Sequence, residues 1–166
     1  NFGFASRKRV TELYGNLCVG TNEEGKLEIT FADSALASAF ARLSLQCSKV
    51  YVSDEDRYAM QRLALLLKDA IGRGVIAEAD LMLTEPEIIA KLVADEQVAE
   101  QWARYRSLRT MNVGVPGPDA LIVPAKKRCI DPYVRNRGRV TDFDEEYRNA
   151  LQEFQNYTFD YWISAQ

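Results

Sequence analysis

The sequence predicts a mainly α fold: an orthogonal helical bundle carrying one small β-hairpin and an irregular, basic C-terminal loop region. Three observations predict it. Apolar residues recur at three- and four-residue spacing through most of the chain, and N-cap signals stand at the starts of those stripes. The periodicity then stops at Val113-Gly114-Val115-Pro116-Gly117-Pro118-Asp119, which holds two glycines and two prolines in seven residues. At 166 residues the chain is long enough for one real core, burying about 70% of the surface exposed when unfolded. It reads as a single domain in three zones: helices plus hairpin over 1–109, a loop and extended basic segment over 110–140, and a C-terminal helix over 141–166.

The first helix covers Ser6 to Leu17, with Ser6 as N-cap and Val10, Leu13, Tyr14 and Leu17 on one stripe. Leu17-Cys18-Val19 and Lys26 to Phe31 flank a polar tip, Thr21 to Gly25, and read as a hairpin. Asp33 or Ser34 caps a long helix whose stripe is Leu36, Ala39, Phe40, Leu43, Cys47 and Val50. Ser53 with Asp56 resembles a capping box, and Asp54, Glu55 and Asp56 suit the positive end of a new helix dipole. Its core positions are Met60, Leu63, Leu66, Leu67, Ala70 and Ile71, and Gly72 or Gly74 ends it. Thr84-Glu85-Pro86-Glu87 starts a helix over 85–94, and a further helix covers 96–109 with Val98, Trp102, Tyr105 and Leu108 on one side. Ala120 to Ala125 is extended, Lys126 to Arg139 is basic and irregular, and Asp142 opens a last helix with Phe143, Tyr147, Ala150, Leu151, Phe154, Tyr157 and Tyr161 inward.

Composition excludes whole classes of chemistry. The chain has no histidine, so Ser-His-Asp and Cys-His nucleophilic sites and histidine metal sites need another segment or chain. Cys18, Cys47 and Cys129 are too few and too scattered for a disulfide framework or a four-thiolate zinc site, and read as small core hydrophobes. A net charge of −3 gives no global bias toward nucleic acid or acidic lipid. No apolar run reaches a membrane span and no signal peptide is apparent, so the expectation is a cytoplasmic protein with no membrane partner.

Three stretches, in order, carry a resemblance. They are Gly3-Phe4-Ala5-Ser6-Arg7-Lys8-Arg9-Val10 leading into the hairpin, Val50-Tyr51-Val52-Ser53-Asp54-Glu55-Asp56-Arg57-Tyr58-Ala59 continuing to Asp80-Leu81, and Leu83-Thr84-Glu85-Pro86-Glu87-Ile88-Ile89 followed by Trp102, Tyr105 and Arg106. Together they resemble the region downstream of the metal site in HD-domain phosphohydrolases, particularly bacterial relatives of deoxynucleoside triphosphate triphosphohydrolases. The match spans roughly 3–109, and Lys126-Lys127-Arg128-Cys129-Ile130-Asp131-Pro132 is similar to a motif near the end of these proteins. The resemblance implies an upstream HD catalytic domain holding a divalent Mg, Mn or Co, a nucleotide or other phosphoester substrate, and a homo-oligomer. The family's metal-binding histidines and paired aspartates do not map onto this chain, so no catalytic residue is carried over and no metal is expected on it.

Six cations, Lys126, Lys127, Arg128, Arg135, Arg137 and Arg139, lie within fourteen residues with Asp131 the only acid among them. Such a cluster can hold phosphate, with Lys126, Lys127 and Arg128 its best members. The alternative is a solvated loop balanced by Asp142, Asp144, Glu145 and Glu146, with Arg137-Gly138-Arg139 a flexible turn. The resemblance directs Tyr51, Arg57 and Tyr58 toward a nucleotide, an arginine on phosphate and a tyrosine on base or sugar; otherwise Tyr51 is core and Arg57 makes ion pairs. The acidic clusters are explained by capping. The tail from Phe154 to Ile163 is apolar around too much of a helix and should dock in part on another domain or subunit. The expected function is the non-catalytic, substrate-pocket and assembly portion of an HD phosphohydrolase. A nucleic-acid-binding module using Lys126 to Arg139, or a purely structural oligomerisation module, are the alternatives.

Overall fold

A computed structural model describes residues 2–166. The chain is mainly helical, and among the described residues seven α-helices stand with two small sheets. In order these are α1 (Arg7–Gly15), β1 (Leu17–Thr21), β2 (Leu27–Phe31), α2 (Ser34–Tyr51), α3 (Asp54–Gly72), a 3-10 turn (Glu78–Met82), α4 (Glu85–Leu92), α5 (Glu96–Ser107), β3 (Met111–Val113), β4 (Leu121–Ile122), β5 (Tyr133–Val134), β6 (Gly138–Arg139), α6 (Val140–Phe143), α7 (Glu145–Asn156) and β7 (Trp162–Ala165). The chain divides into two compact units, one made of the residues up to Val52 with Lys126–Thr158, the other of Ser53–Ala125 with Phe159–Gln166. The first sequence zone, 1–109, thus contributes to both.

Short polar side chains set the helix starts. Ser6 accepts from the Arg9 N–H at 3.2 Å, Asp33 from Leu36 at 2.8 Å, Ser53 from Asp56 at 3.2 Å and Asp144 from Tyr147 at 3.0 Å. Asp95 accepts from both Gln97 and Val98. Each satisfies a donor that has no partner inside its helix. At α4 the box is one-sided: the Glu87 carboxylate accepts from both the Thr84 N–H and the Thr84 hydroxyl, at 2.8 and 2.6 Å.

In the first unit, α2 packs against α1, β2, β5, α6 and α7. Ala37 and Ala41 are wholly buried on it, and these small side chains let neighbouring backbones approach. The sheet runs β1-β2-β5-β6: β1 and β2 pair antiparallel, β2 and β5 meet in parallel at Phe31 and Val134, and β5 and β6 pair antiparallel. The Lys126–Arg139 segment, expected to be irregular, therefore completes a sheet through a tight turn at Asn136, whose φ of 59° suits asparagine. Gly138 follows at φ 93°, and a Cβ there would sit 2.5 Å from the Asp142 carboxylate that accepts the Arg139 N–H. The expected flexible turn is a built one.

In the second unit, Leu66, Ala70, Ile76, Leu92 and Val98 form the core, with Ile88, Trp102 and Tyr105 packed against it. Each large aliphatic chain there contributes about 1.5–3 kcal/mol by leaving water. Helix α3 buries Tyr58, Leu66 and Ala70, an i+4 row, so the expected core residue Met60 is 60% exposed. The second sheet runs β3-β7-β4, with Ile163 buried between Val113 and Leu121.

Two further expectations change at the C-terminus. The single last helix is two, because Asp144 ends α6 and caps α7. Beyond Asn156 the chain is no longer helical, Tyr157 is exposed, and the apolar tail becomes a strand whose Ile163 is covered within this chain. Cys18, Cys47 and Cys129 are half-buried free thiols. Among the described residues, no helix is long and apolar enough to cross a membrane.

Several carboxylates sit below their ordinary values because the folded chain donates to them: Glu28 from Arg139 and then Asn22, Asp80 from the Ala77 N–H and then Lys91, Glu87 from Thr84, and Asp95 from the Val98 N–H. A lowered folded-state value contributes stability that is complete above the unfolded value and is lost as pH falls toward the folded one. With no histidine, little titrates between pH 5 and 8. Urea midpoints should therefore stay level from pH 7 to about 5 and fall as pH drops through 4.5 and 3.8, the ordinary Glu and Asp values. Stabilisation on acidification would contradict this.

Candidate functional site

Burial alternates residue by residue from Lys126 to Asp131, the pattern of a chain that sends successive side chains to opposite sides. Lys126, Arg128 and Ile130 are exposed, whereas Lys127, Cys129 and Asp131 are partly covered. This alternation sorts the basic cluster into two populations.

Four of the six cations, exposed Arg135 and Arg137 among them, make contacts within the first unit. Lys127 donates from Nζ to the carbonyls of Gln155 and Tyr157, both at 2.5 Å, placing a positive charge on the C-terminal end of α7 where the helix dipole favours it. Arg137 lies 4.2 Å over the Phe143 ring and donates to the Ser34 hydroxyl at 2.7 Å. Arg139 donates to both Glu28 oxygens at 2.7 and 2.9 Å and to Glu23 at 2.9 Å, a forked geometry that lysine cannot reproduce. Those carboxylates raise the Arg139 pKa further above its ordinary value, Glu28 most of all. Asp131 accepts from the Thr141 N–H and hydroxyl, so the one acid in the cluster is engaged as well. Arg135 reaches only the Val19 carbonyl, at 3.4 Å.

Lys126 and Arg128 are the outward population, and neither is in an ion pair among the described residues. Their backbone is fixed by Ser48 of α2, whose hydroxyl donates to the Arg128 carbonyl at 2.7 Å. Residues two apart on an extended strand stand about 7 Å apart, a separation at which two cations can address neighbouring phosphates. Of the three cluster residues expected to contact phosphate, the structure thus brings two together on one face and turns Lys127 inward. Tyr51, at the end of α2 in this same unit, is 63% exposed and meets Phe2 edge-on at 5.3 Å, so it is not a core residue.

Arg57 and Tyr58 belong to the second unit and are buried, with exposures of 5% and 1%. Their expected nucleotide contact is corrected by their partners. Arg57 donates to Asp54 at 2.5 Å, to the Tyr161 hydroxyl at 3.2 Å and to the Val123 carbonyl, with its guanidinium 4.4 Å from the Phe159 ring centre. Tyr161 in turn donates to Asp54 at 2.8 Å, closing a three-membered network. The Tyr58 hydroxyl donates to the Asp119 carbonyl at 3.1 Å. These groups anchor the loop before β7 and the β4 segment onto the first turns of α3. A buried charge is stable only with such partners.

The second unit also holds a cleft of about 510 Å³ that sequence reading missed, lined by Arg62, Asp69, Gln101, Arg104, Tyr105 and Asp119 among others. It draws on α3, α5 and a loop, so no local motif announces it. Its charged groups already answer one another: Arg62 faces Asp119 at 3.4 Å, and Gln101 donates to Asp69 at 2.9 Å. No three His, Cys, Asp or Glu side chains converge among the described residues. Many of the carboxylates cap helices or pair with arginine.

Truncation of Arg57 tests its anchoring role. Arg57→Ala leaves Asp54 without its buried partner and should lower stability by about 3–5 kcal/mol. Tyr161→Phe, which removes one hydroxyl from the network, should cost about 1 kcal/mol. Urea unfolding of both variants measures this, and an Arg57→Ala protein as stable as the parent would refute it.

No protein-family model, no curated protein and no solved structure matches this chain.

Proposed function

We propose that this chain is the substrate-pocket and assembly portion of an HD-superfamily, metal-dependent phosphohydrolase acting on nucleotides, and that it is not itself catalytic. In this reading its helices form the orthogonal lobe of a cytoplasmic, homo-oligomeric enzyme, and an upstream HD domain holds the Mg, Mn or Co ion that activates water. The observation that carries the reading is the pairing of Lys126 and Arg128 on one exposed face while their neighbours are engaged internally. The ordered motifs of residues 3–109 support it as a likeness in sequence.

The chain's own chemical contribution is electrostatic. Arg128 offers a planar fork that fits two oxygens of one phosphate, and Lys126 offers a compact charge to the next. Fixing the Arg128 backbone through Ser48 removes part of the ordering cost that a free loop would bear on binding. Arg57 and Tyr58 contribute indirectly, by holding the fold of the second unit.

Two measurements test the proposal together. Inorganic tripolyphosphate titrated into the chain at low salt should release or absorb heat, and Lys126→Gln with Arg128→Gln should weaken that binding about tenfold or more while leaving the thermal midpoint in place. A nucleotide panel with Mg, Mn and Co should show turnover by a longer protein bearing the HD domain and none by the chain alone. Turnover by the isolated chain, or binding indifferent to the double substitution, would overturn the reading.

A further inference from the structure

The first unit separates charge more sharply than its composition suggests. Residues 2–11, 34–51 and 126–130 contain no acid, yet they carry Arg7, Lys8, Arg9, Arg42, Lys49, Lys126, Lys127 and Arg128 in a protein of net charge −3. Arg9 pairs with Glu12, Arg42 with Asp144 and Glu146, and Lys127 closes α7. Arg7, Lys8, Lys49, Lys126 and Arg128 remain exposed. The ring contact of Phe2 with Tyr51 and the bond from Ser48 to the Arg128 carbonyl bring the start of the chain and the Lys126–Arg128 segment to the C-terminal turns of α2.

The same end of α2 carries an exposed aromatic cluster. Tyr51, Phe2 and Phe4 are 63%, 52% and 42% exposed. Phe2 meets Tyr51 edge-to-face at 5.3 Å and Phe4 at a tilt at 6.0 Å. An edge-to-face pair leaves ring faces open, and nothing among the described residues stacks on Tyr51. Three clustered rings left in water cost free energy that their fold does not recover. The next acids along the chain, Asp54, Glu55 and Asp56, begin the second unit, and Asp54 is committed to Arg57.

We infer that this face binds single-stranded nucleic acid, with bases stacking on Tyr51 and Phe2 and the backbone running along Arg128 and Lys126 in one direction and Lys8 and Arg7 in the other. Open aromatic faces amid unpaired cations are what an unstacked polyanion requires. A duplex keeps its bases stacked on one another and offers them no ring face, so the surface discriminates by strandedness. The inference does not rest on the phosphohydrolase reading: it uses aromatic rings and a strand of several phosphates, where that reading uses two cations and one phosphate chain.

The test is fluorescence anisotropy of the full chain with labelled fifteen-nucleotide dT and rU strands and a duplex of the same length, across a range of salt. The expected result is single-strand binding about tenfold or more tighter than duplex binding. Tyr51→Ala should weaken it about fivefold or more, from the usual value of one base stack, and Tyr51→Phe should retain it. Arg7→Gln and Lys8→Gln should each reduce the slope of log affinity against log salt by about 0.7. Tyr51 is exposed, so its variants should keep the parent thermal midpoint, and that is measured alongside. Binding that ignores Tyr51→Ala, equal affinity for duplex, absence of binding to either strand, or binding only to phosphatidylserine vesicles would each overturn the inference. Because Lys126 and Arg128 are untouched in these variants, loss of strand binding with tripolyphosphate binding intact separates this inference from the proposed function.

Discussion

The Arg139 guanidinium is the interaction on which the first unit depends. It joins the β1–β2 hairpin, through Glu23 and Glu28, to the Asp131 carbonyl at 3.2 Å. The Arg139 backbone N–H donates to Asp142 at 2.6 Å, the residue that also fills the space beside Gly138. Lys127 is fastened to the C-terminus of α7, and Ser48 holds the Arg128 carbonyl. Burial alternates along this stretch, so Lys126 and Arg128 face water where Lys127 turns inward.

That division was only partly legible in the sequence. The cap at Asp33, the serine at 53 with its acidic trio and the Thr84-Pro86-Glu87 start all read correctly, because a cap is a local event settled within four residues. The hairpin was legible for the same reason. What was not legible depends on partners far along the chain. Arg139 finds Glu28 across more than a hundred residues, and Tyr133 to Arg139 becomes a hairpin beside β2 rather than an irregular loop. Arg57 carries a formal charge, which argues for the surface, yet Asp54 three residues before it and Tyr161 more than a hundred after it make burial possible. The strand at Trp162–Ala165 was hidden by an apolar spacing that suits a helix and is overridden by pairing on both of its edges.

For the candidate site, residue type was the readable part and orientation was not. Six cations in fourteen residues announced a phosphate-like charge density, but four of them contribute to internal contacts of the first unit. The aromatic cluster at the end of α2 had only Tyr51 as its signal in the sequence, because Phe2 and Phe4 lie almost fifty residues away. The absence of histidine, by contrast, was decisive at once. It removes imidazole chemistry from this polypeptide.

The central claim is that one tethered segment separates structural cations from binding cations. A charge scan measures it directly: Lys126, Lys127, Arg128, Arg135, Arg137 and Arg139 are each changed to glutamine, and thermal midpoint and tripolyphosphate affinity are read on the same sample. The account predicts that Arg139 and Lys127 variants lose thermal stability, while Lys126 and Arg128 variants lose affinity at an unchanged midpoint. Midpoints that fall equally at all six positions, or an affinity set as much by Arg139 as by Arg128, would contradict it.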